Sequence, residues 1–311
     1  MTTVPVLSHD AVLAMIDPLE AIERVRDAFV RHAHGEWRMP AKVYLEEERG
    51  DFRAMPASGG GLAILKWVTS FPANAERGLP VVMGVIAVSS AEDGRLLALI
   101  DARAVTALRT GAIAAVAAQE LAREDAASVG IIGCGLHGSW AARCLAAAEF
   151  WPGICFDPDP DAAGRLAGEL GWEAGGLDEA LESDIVTCVT PGAAPVVGAR
   201  HIRAGIHFSM LGADGPGKAE AELDAVTACE LFCDDWEQAS HGGELSGAVA
   251  AGRVDRERVT DLGAVLTGRA GGRSGPSATT LFDSTGLAIQ DLAICHALLE
   301  RDTAGFPTVT L

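Results

Sequence analysis

Gly133-Cys-Gly135-Leu-His-Gly138 follows the aliphatic stretch Ser128-Val-Gly-Ile-Ile and opens an apolar, helical run through Trp140 and Leu145. Between a strand and a helix, this spacing suits a dinucleotide. The first glycine permits a tight turn, the second lets backbone approach the pyrophosphate, and the third lets helix and strand pack closely. The helix N-terminus offers N–H groups to the anion, so Gly133, Gly135, Leu136 and the backbone amide of His137 are expected cofactor contacts. The next strand-like stretch, Gly153-Ile-Cys-Phe-Asp157, ends in an acid roughly 20 positions further on, the place of a ribose-binding carboxylate. No arginine follows in Pro158-Asp159-Pro160 to receive a 2′-phosphate, so the expected cofactor is NAD.

Lysine is the second chemical signal. Of 24 basic residues only Lys42, Lys66 and Lys218 are lysines. A chain that takes its cations almost wholly as arginine is expected to keep lysine where a compact ammonium with a movable pKa does what a planar guanidinium cannot. Seven cysteines show no C-x-x-C pair and no metal-ligand spacing with the eight histidines; buried reduced thiols and no metal site are expected.

Two architectures must position these groups. Over 17–34 the apolar residues Leu19, Ile22, Val25, Phe29 and Val30 predict an amphipathic helix, and stretches 62–71, 81–89 and 96–100 predict strands, the last two joined through Asp93-Gly94. This part reads as an antiparallel α+β unit, left by an Ala-rich helix over 104–123. From Ser128 the pattern becomes βα units, with strands at 128–133, 153–157, 184–190, 205–211 and 230–234 and helices from 136 and over 160–170, which demands a parallel sheet covered on both faces. A strand-like Thr279 to Phe282 and a helix from Leu287 to Arg301 close the chain. The expected fold class is α/β: a Rossmann-type doubly wound parallel sheet plus an α+β substrate and dimerisation domain. The expected division is 1–112 with 285–311 for the latter and 113–284 for the NAD-binding domain.

At 311 residues with 49% apolar content the chain can build two cores. Its net charge of −19 repels phosphodiester backbones and anionic lipid, so neither nucleic acid nor a membrane is an expected partner. The longest apolar stretch, around Leu79 to Val88, is far short of the roughly 20 residues of a membrane helix, and no basic-then-apolar leader opens the chain. A soluble, cytoplasmic protein is expected.

Four further blocks, Leu65 to Asn74, Ala107-Leu-Arg109-Thr110-Gly111-Ala, Gly212-Ala213-Asp214-Gly-Pro-Gly-Lys218-Ala-Glu220 and Phe282 to Asp291, resemble, in order and with the Gly133 motif, the ornithine cyclodeaminase/μ-crystallin family. The stretch from Asp234 to Glu244 and the Phe282 block are similar to the archaeal-type alanine dehydrogenases within it. The resemblance implies a homodimer whose first domain mediates dimerisation and receives the C-terminal helix. It implies that Lys66 and Arg109 hold a substrate carboxylate, the arginine bidentately and the lysine as a point charge able to move protons. Asp214 becomes the catalytic base. Arg109, Thr110, Thr190, Gly212, Ala213, Asp214, Lys218 and Ser284 fall at family positions that line the cofactor. Lys42 stands where relatives usually carry arginine for the same carboxylate, which leaves the substrate's shape open. The activity implied is NAD-dependent oxidation of a small L-amino acid, alanine or a bulkier one, to a 2-oxo acid and ammonium. The alternatives are a cyclodeaminating lyase, a ketimine or cyclic imine reductase, and a non-catalytic binding protein.

Overall fold

The computed structural model describes residues 3–192, 194–215 and 217–310 and divides the chain into two compact units, Met1–Arg109 with Leu287–Leu311 and Thr110–Gly286. Pro216, in the loop that carries Asp214, lies outside the described residues.

The first unit is built on a seven-stranded sheet. In chain order its strands are β1 (Thr3–Leu7), β2 (Val43–Glu47), β3 (Gly50–Gly59), β4 (Leu62–Ser70), β5 (Val82–Ser90) and β6 (Leu96–Asp101), with Thr308–Thr310 added beside β1. The order is Thr308–Thr310, β1, β6, β5, β4, β3, β2, antiparallel except for β1 beside β6. Side chains alternate between faces of a strand, and β4 buries Ile64, Lys66 and Val68 while exposing Leu65 and Trp67. Helices α1 (His9–Met15) and α2 (Pro18–Ala33) lie between β1 and β2; Asp17 caps α2 by accepting from Glu20 N–H at 2.9 Å, and Pro18 fills its first turn. The C-terminal helix Ala288–Leu299 belongs to this unit and packs on α2, β3 and β4, which is why it is apolar on every side. The turn at Asp93-Gly94 forms as expected, with Gly94 at φ +77°. Strands β1, β2 and β3 were not evident in the sequence. Proline at position 56 and the acids of 46–48 disguise a strand pair in which β2 is an exposed edge.

The second unit is an eight-stranded parallel sheet. Its strands are β7 (Val129–Ile132), β8 (Gly153–Phe156), β9 (Glu173–Ala174), β10 (Ile185–Cys188), β11 (His207–Met210), β12 (Glu230–Cys233), β13 (Val259–Asp261) and β14 (Thr280–Asp283). The order β9-β8-β7-β10-β11-β14-β12-β13 winds outward in both directions from the β7/β10 pair, the Rossmann-type arrangement. β7, β10, β11 and β14 are buried at every residue, the mark of strands covered on both faces. Ile132, Val186, Phe208, Met210, Leu231 and Leu281 share one core. Helix α3 (Ala102–Leu121) contains the division between the units, and α4 (Leu136–Ala147) and α5 (Pro160–Leu170) follow β7 and β8. The seven cysteines are free and buried. Among the described residues no helix is long and apolar enough to cross a membrane.

Candidate active site

In the second unit the glycine loop closes at the carboxyl end of β7, where the strand order reverses. Gly133 adopts φ +99°, a conformation that side chains avoid, and its N–H donates to Phe156 O at 2.9 Å. A Cβ at Gly138 would strike the Gly133 carbonyl, so only glycine lets α4 start this close to the strand. Gly135 differs: a Cβ there would meet nothing within 4 Å, projecting into the open space above the first turn of α4. Gly135 is also the N-cap and supplies no capping side chain, and Leu136 and His137 begin the helix. An open approach and an uncapped helix start fit a pyrophosphate.

Asp157 sits just past β8. One oxygen accepts from Cys134 N–H at 2.7 Å and the other from Asp159 N–H at 2.9 Å, so the carboxylate is fixed against the glycine loop. The cap of α5 is Asp159, which accepts from Asp161 N–H at 3.1 Å. Asp157 therefore has no capping task, and its position suits a ribose.

Two loops on the far side of the strand reversal are tied by buried acids. Glu220, fully buried, accepts from Thr190 N–H at 2.7 Å and Gly212 N–H at 2.8 Å, joining the ends of β10 and β11. Glu244 accepts from Glu220 N–H at 2.8 Å and Ala221 N–H at 2.7 Å. Burial raises the Glu220 carboxyl above its usual range and pushes Glu244 up to about 7. The loop held in this way carries Ala213, buried, and Asp214, whose carboxylate accepts from Lys218 Nζ at 2.5 Å. Asp234, past β12, accepts from Gly286 N–H at 2.9 Å and from the hydroxyls of Ser284 at 3.1 Å and Thr285 at 3.2 Å.

In the first unit Lys66 is 1% exposed. Its ammonium donates to Thr106 Oγ1 at 2.7 Å and to Asp291 Oδ1 at 2.8 Å, and Arg109 Nε lies 3.7 Å from the same Asp291 oxygen. Burial is the main force on Lys66 and lowers its pKa; Asp291 opposes it, Arg109 reinforces it, and the ammonium is pulled down to about 8. That is near the range in which a lysine exchanges protons at neutral pH. Arg109 Nε is buried without a hydrogen-bond partner. Thr110, also buried, is the next residue of α3. Lys42, the residue just before β2, is half-buried, and Val43 of β2 pairs with Ala54 of β3.

Within the first unit, then, Lys66 and Arg109 meet around Asp291, while Lys42 precedes β2, two strands away from Lys66 on β4. Within the second, the glycine loop gathers with Asp157, and Thr190 gathers with Gly212, both on Glu220. Sequence reasoning missed Glu220, Asp234 and Asp291 as organising residues, and left His241 and Glu244 open between orienting the site and lying in a solvated loop. It also missed Arg53, a buried arginine on β3 that pairs with Asp51 at 2.5 Å and stacks over Tyr44. A lone carboxylate inside the mostly apolar Ala288–Leu299 was a readable signal for Asp291; Arg53 was hidden with its strand.

The family model of the ornithine cyclodeaminase/mu-crystallin family matches residues 5–305. Alanine dehydrogenase of Archaeoglobus fulgidus is 39% identical over 303 residues, 95% of this chain and 94% of that protein. A solved archaeal alanine dehydrogenase dimer with bound NAD matches with a TM-score of 0.94 at 38% identity over 99% of both chains. The Δ1-pyrroline-2-carboxylate reductase of Thermococcus litoralis, solved with NADH and L-proline, matches with a TM-score of 0.90 at 28% identity, covering 95% of this chain and 96% of that one.

Proposed function

The chain belongs to the ornithine cyclodeaminase/mu-crystallin family, and from that premise we propose that it is an NAD-dependent L-amino acid dehydrogenase acting on a small 2-amino acid, alanine first among them. The observation that carries the reading is the buried Lys66 ammonium beside Arg109, a cation pair of the kind that holds a carboxylate. When bound, NAD supplies the hydride acceptor. The chain's own residues do the rest. Arg109 and Lys66 fix the substrate carboxylate, with Lys42 adding a third positive charge. Asp214, freed from Lys218, takes a proton from the substrate ammonium, so that hydride can leave Cα and an imine form. Asp214 then releases that proton to solvent; as a carboxylate again it takes a proton from the water that adds to the imine carbon and returns it to the nitrogen, and ammonia departs as the new C–OH gives up its proton and becomes the C=O. The balance is amino acid, NAD+ and water to 2-oxo acid, ammonium, NADH and a proton.

Gly133, Gly135, Leu136 and His137 take the pyrophosphate and Asp157 the adenosine ribose. Thr110, Thr190, Gly212, Ala213, Lys218 and Ser284 complete the cofactor side. The exposed apolar side chains of Leu65, Trp67, Met83 and Val85 on the face of the first sheet opposite Lys66 support a homodimer. The two domains of this reading are 1–112 with 285–311 and 113–284.

A second reading, reduction of a cyclic imine acid by NADH, is favoured by the likeness to the Thermococcus litoralis enzyme with its bound L-proline. One experiment separates them: NAD with a panel of small L-amino acids at alkaline pH. NADH and ammonium appearing together support the dehydrogenase. Turnover of NADH only with a preformed cyclic imine supports the reductase, and ammonia from ornithine without NADH supports a lyase.

A further inference from the structure

Asp291 is fully buried, yet neither the carboxylate clamp nor the cofactor cradle uses it. Its Oδ1 serves Lys66 and faces Arg109, while its Oδ2 is sealed from solvent with no hydrogen-bond partner. A buried carboxylate with one oxygen idle is destabilising in itself, so folding alone does not account for it. We propose that Asp291 is a positioning residue that holds the Lys66 ammonium in place against the repulsion of Arg109, and thereby sets the direction in which Lys66 meets the substrate. This rests on the reading of Lys66 as a carboxylate and proton-handling group.

The hydrogen bonds fix that direction. Thr106 gives its only hydroxyl proton to Ala102 O at 2.6 Å, so towards Lys66 it can only accept. Two of the three ammonium protons thus go to Thr106 and Asp291, and the third remains for a ligand. The surroundings also show why charge is needed. Asp291 and Cys295 face Lys66 from the C-terminal helix, Thr106 and Arg109 from α3, Met55 from β3 with Arg53 diagonal to it on the same face, and Ile86 from β5. Burial raises the Cys295 thiol and keeps it neutral. Arg53 is paired with Asp51 at 2.5 Å, so of the groups that act on Lys66 Asp291 alone is an anion; without it a buried lysine beside Arg109 would shed its proton more readily.

The test uses the scarcity of lysine. In full-length protein labelled with 15N-lysine, three side-chain signals are expected, and loss of one in Lys66→Ala identifies Lys66. Asp291→Asn should lower the pH midpoint of the Lys66 signal by at least about one unit, because an opposite charge within hydrogen-bond reach favours the charged form. The kcat/KM limb that follows Lys66 should move with it, with NAD affinity unchanged. Asp291→Glu, which keeps the charge, should restore the midpoint. A midpoint unmoved in Asp291→Asn overturns the proposal, as does failure of both variants to fold. Should the wild type turn over no amino or imino acid, the functional reading fails while the titration still decides the role of Asp291.

Discussion

Two sets of buried ionisable groups, one in each unit, are satisfied in opposite ways. In the second unit Glu220, Glu244 and Asp234 are buried acids, and both oxygens of each carboxylate are occupied, Glu220 and Glu244 by backbone N–H groups and Asp234 by N–H groups and hydroxyls. In the first unit the Lys66 ammonium, the Arg109 Nε and the Asp291 carboxylate are buried together with capacity left over: an ammonium proton, the Arg109 Nε and the Asp291 Oδ2. Desolvation drives both sets towards neutrality, Glu244 upward and Lys66 downward. What separates these two sets is unspent hydrogen-bonding capacity, although the second unit also holds such a group in Asp283, whose Oδ1 is buried without a partner beside Asp234 and Glu244. The satisfied acids hold loops in shape, and the Lys66 set keeps donors and an acceptor in reserve.

The largest effect should come from the unsatisfied set. Lys66→Ala should lower kcat by at least ~100-fold in steady-state assays while NAD still binds in a fluorescence titration. A near-normal kcat would remove Lys66 from the chemistry and end the contrast. Asp214→Ala should match that loss; here the carboxylate belongs to a held loop, so an intact fold by circular dichroism must accompany it.

The satisfied acids should answer in stability. Glu220→Ala strips two charge-assisted bonds from the ends of β10 and β11 and should cost about 2–3 kcal/mol in denaturant unfolding. A cost below about 0.5 kcal/mol would mean that these loops hold without it. Asp157→Ala should relax the NAD over NADP preference about tenfold, the worth of one hydrogen bond to a charged group; equal ratios in variant and wild type would take the ribose away from Asp157.

The smallest effect is a slope. Glu244 has its proton affinity raised by folding, so between roughly pH 4.5 and 7 the native state binds more protons than the unfolded chain, and stability falls as the pH rises through that window. Glu244→Gln should make the slope shallower. A slope as steep as the wild type's would assign the protons elsewhere, to Glu220 or Asp283, whose carboxyls burial also raises.

Much of this was legible in the residues. The Gly133 motif, Asp157 and the βα alternation follow from backbone geometry that glycine spacing and hydrophobic period report directly, and the scarcity of lysine marked Lys42, Lys66 and Lys218 alike, the family resemblance alone setting Lys66 apart. Arg53, Asp291 and Glu220 were not legible, because each acquires its role from strands distant in sequence. Register sets Arg53 on the Lys66 face only once β3 lies against β4, and Glu220 ties two loops some thirty and eight residues before it. His241 and Glu244 looked alike in sequence, yet His241 is exposed on its own helix carbonyl at 2.7 Å and Glu244 is buried under the loop of Asp214.

The most direct test of the buried cation pair is a crystal structure with NAD and a small 2-oxo acid such as pyruvate. The carboxylate of the oxo acid should lie within hydrogen-bond distance of both Lys66 Nζ and the Arg109 guanidinium, taking up the idle ammonium proton. A carboxylate bound elsewhere, with Lys66 still engaged only by Thr106 and Asp291, would contradict the account.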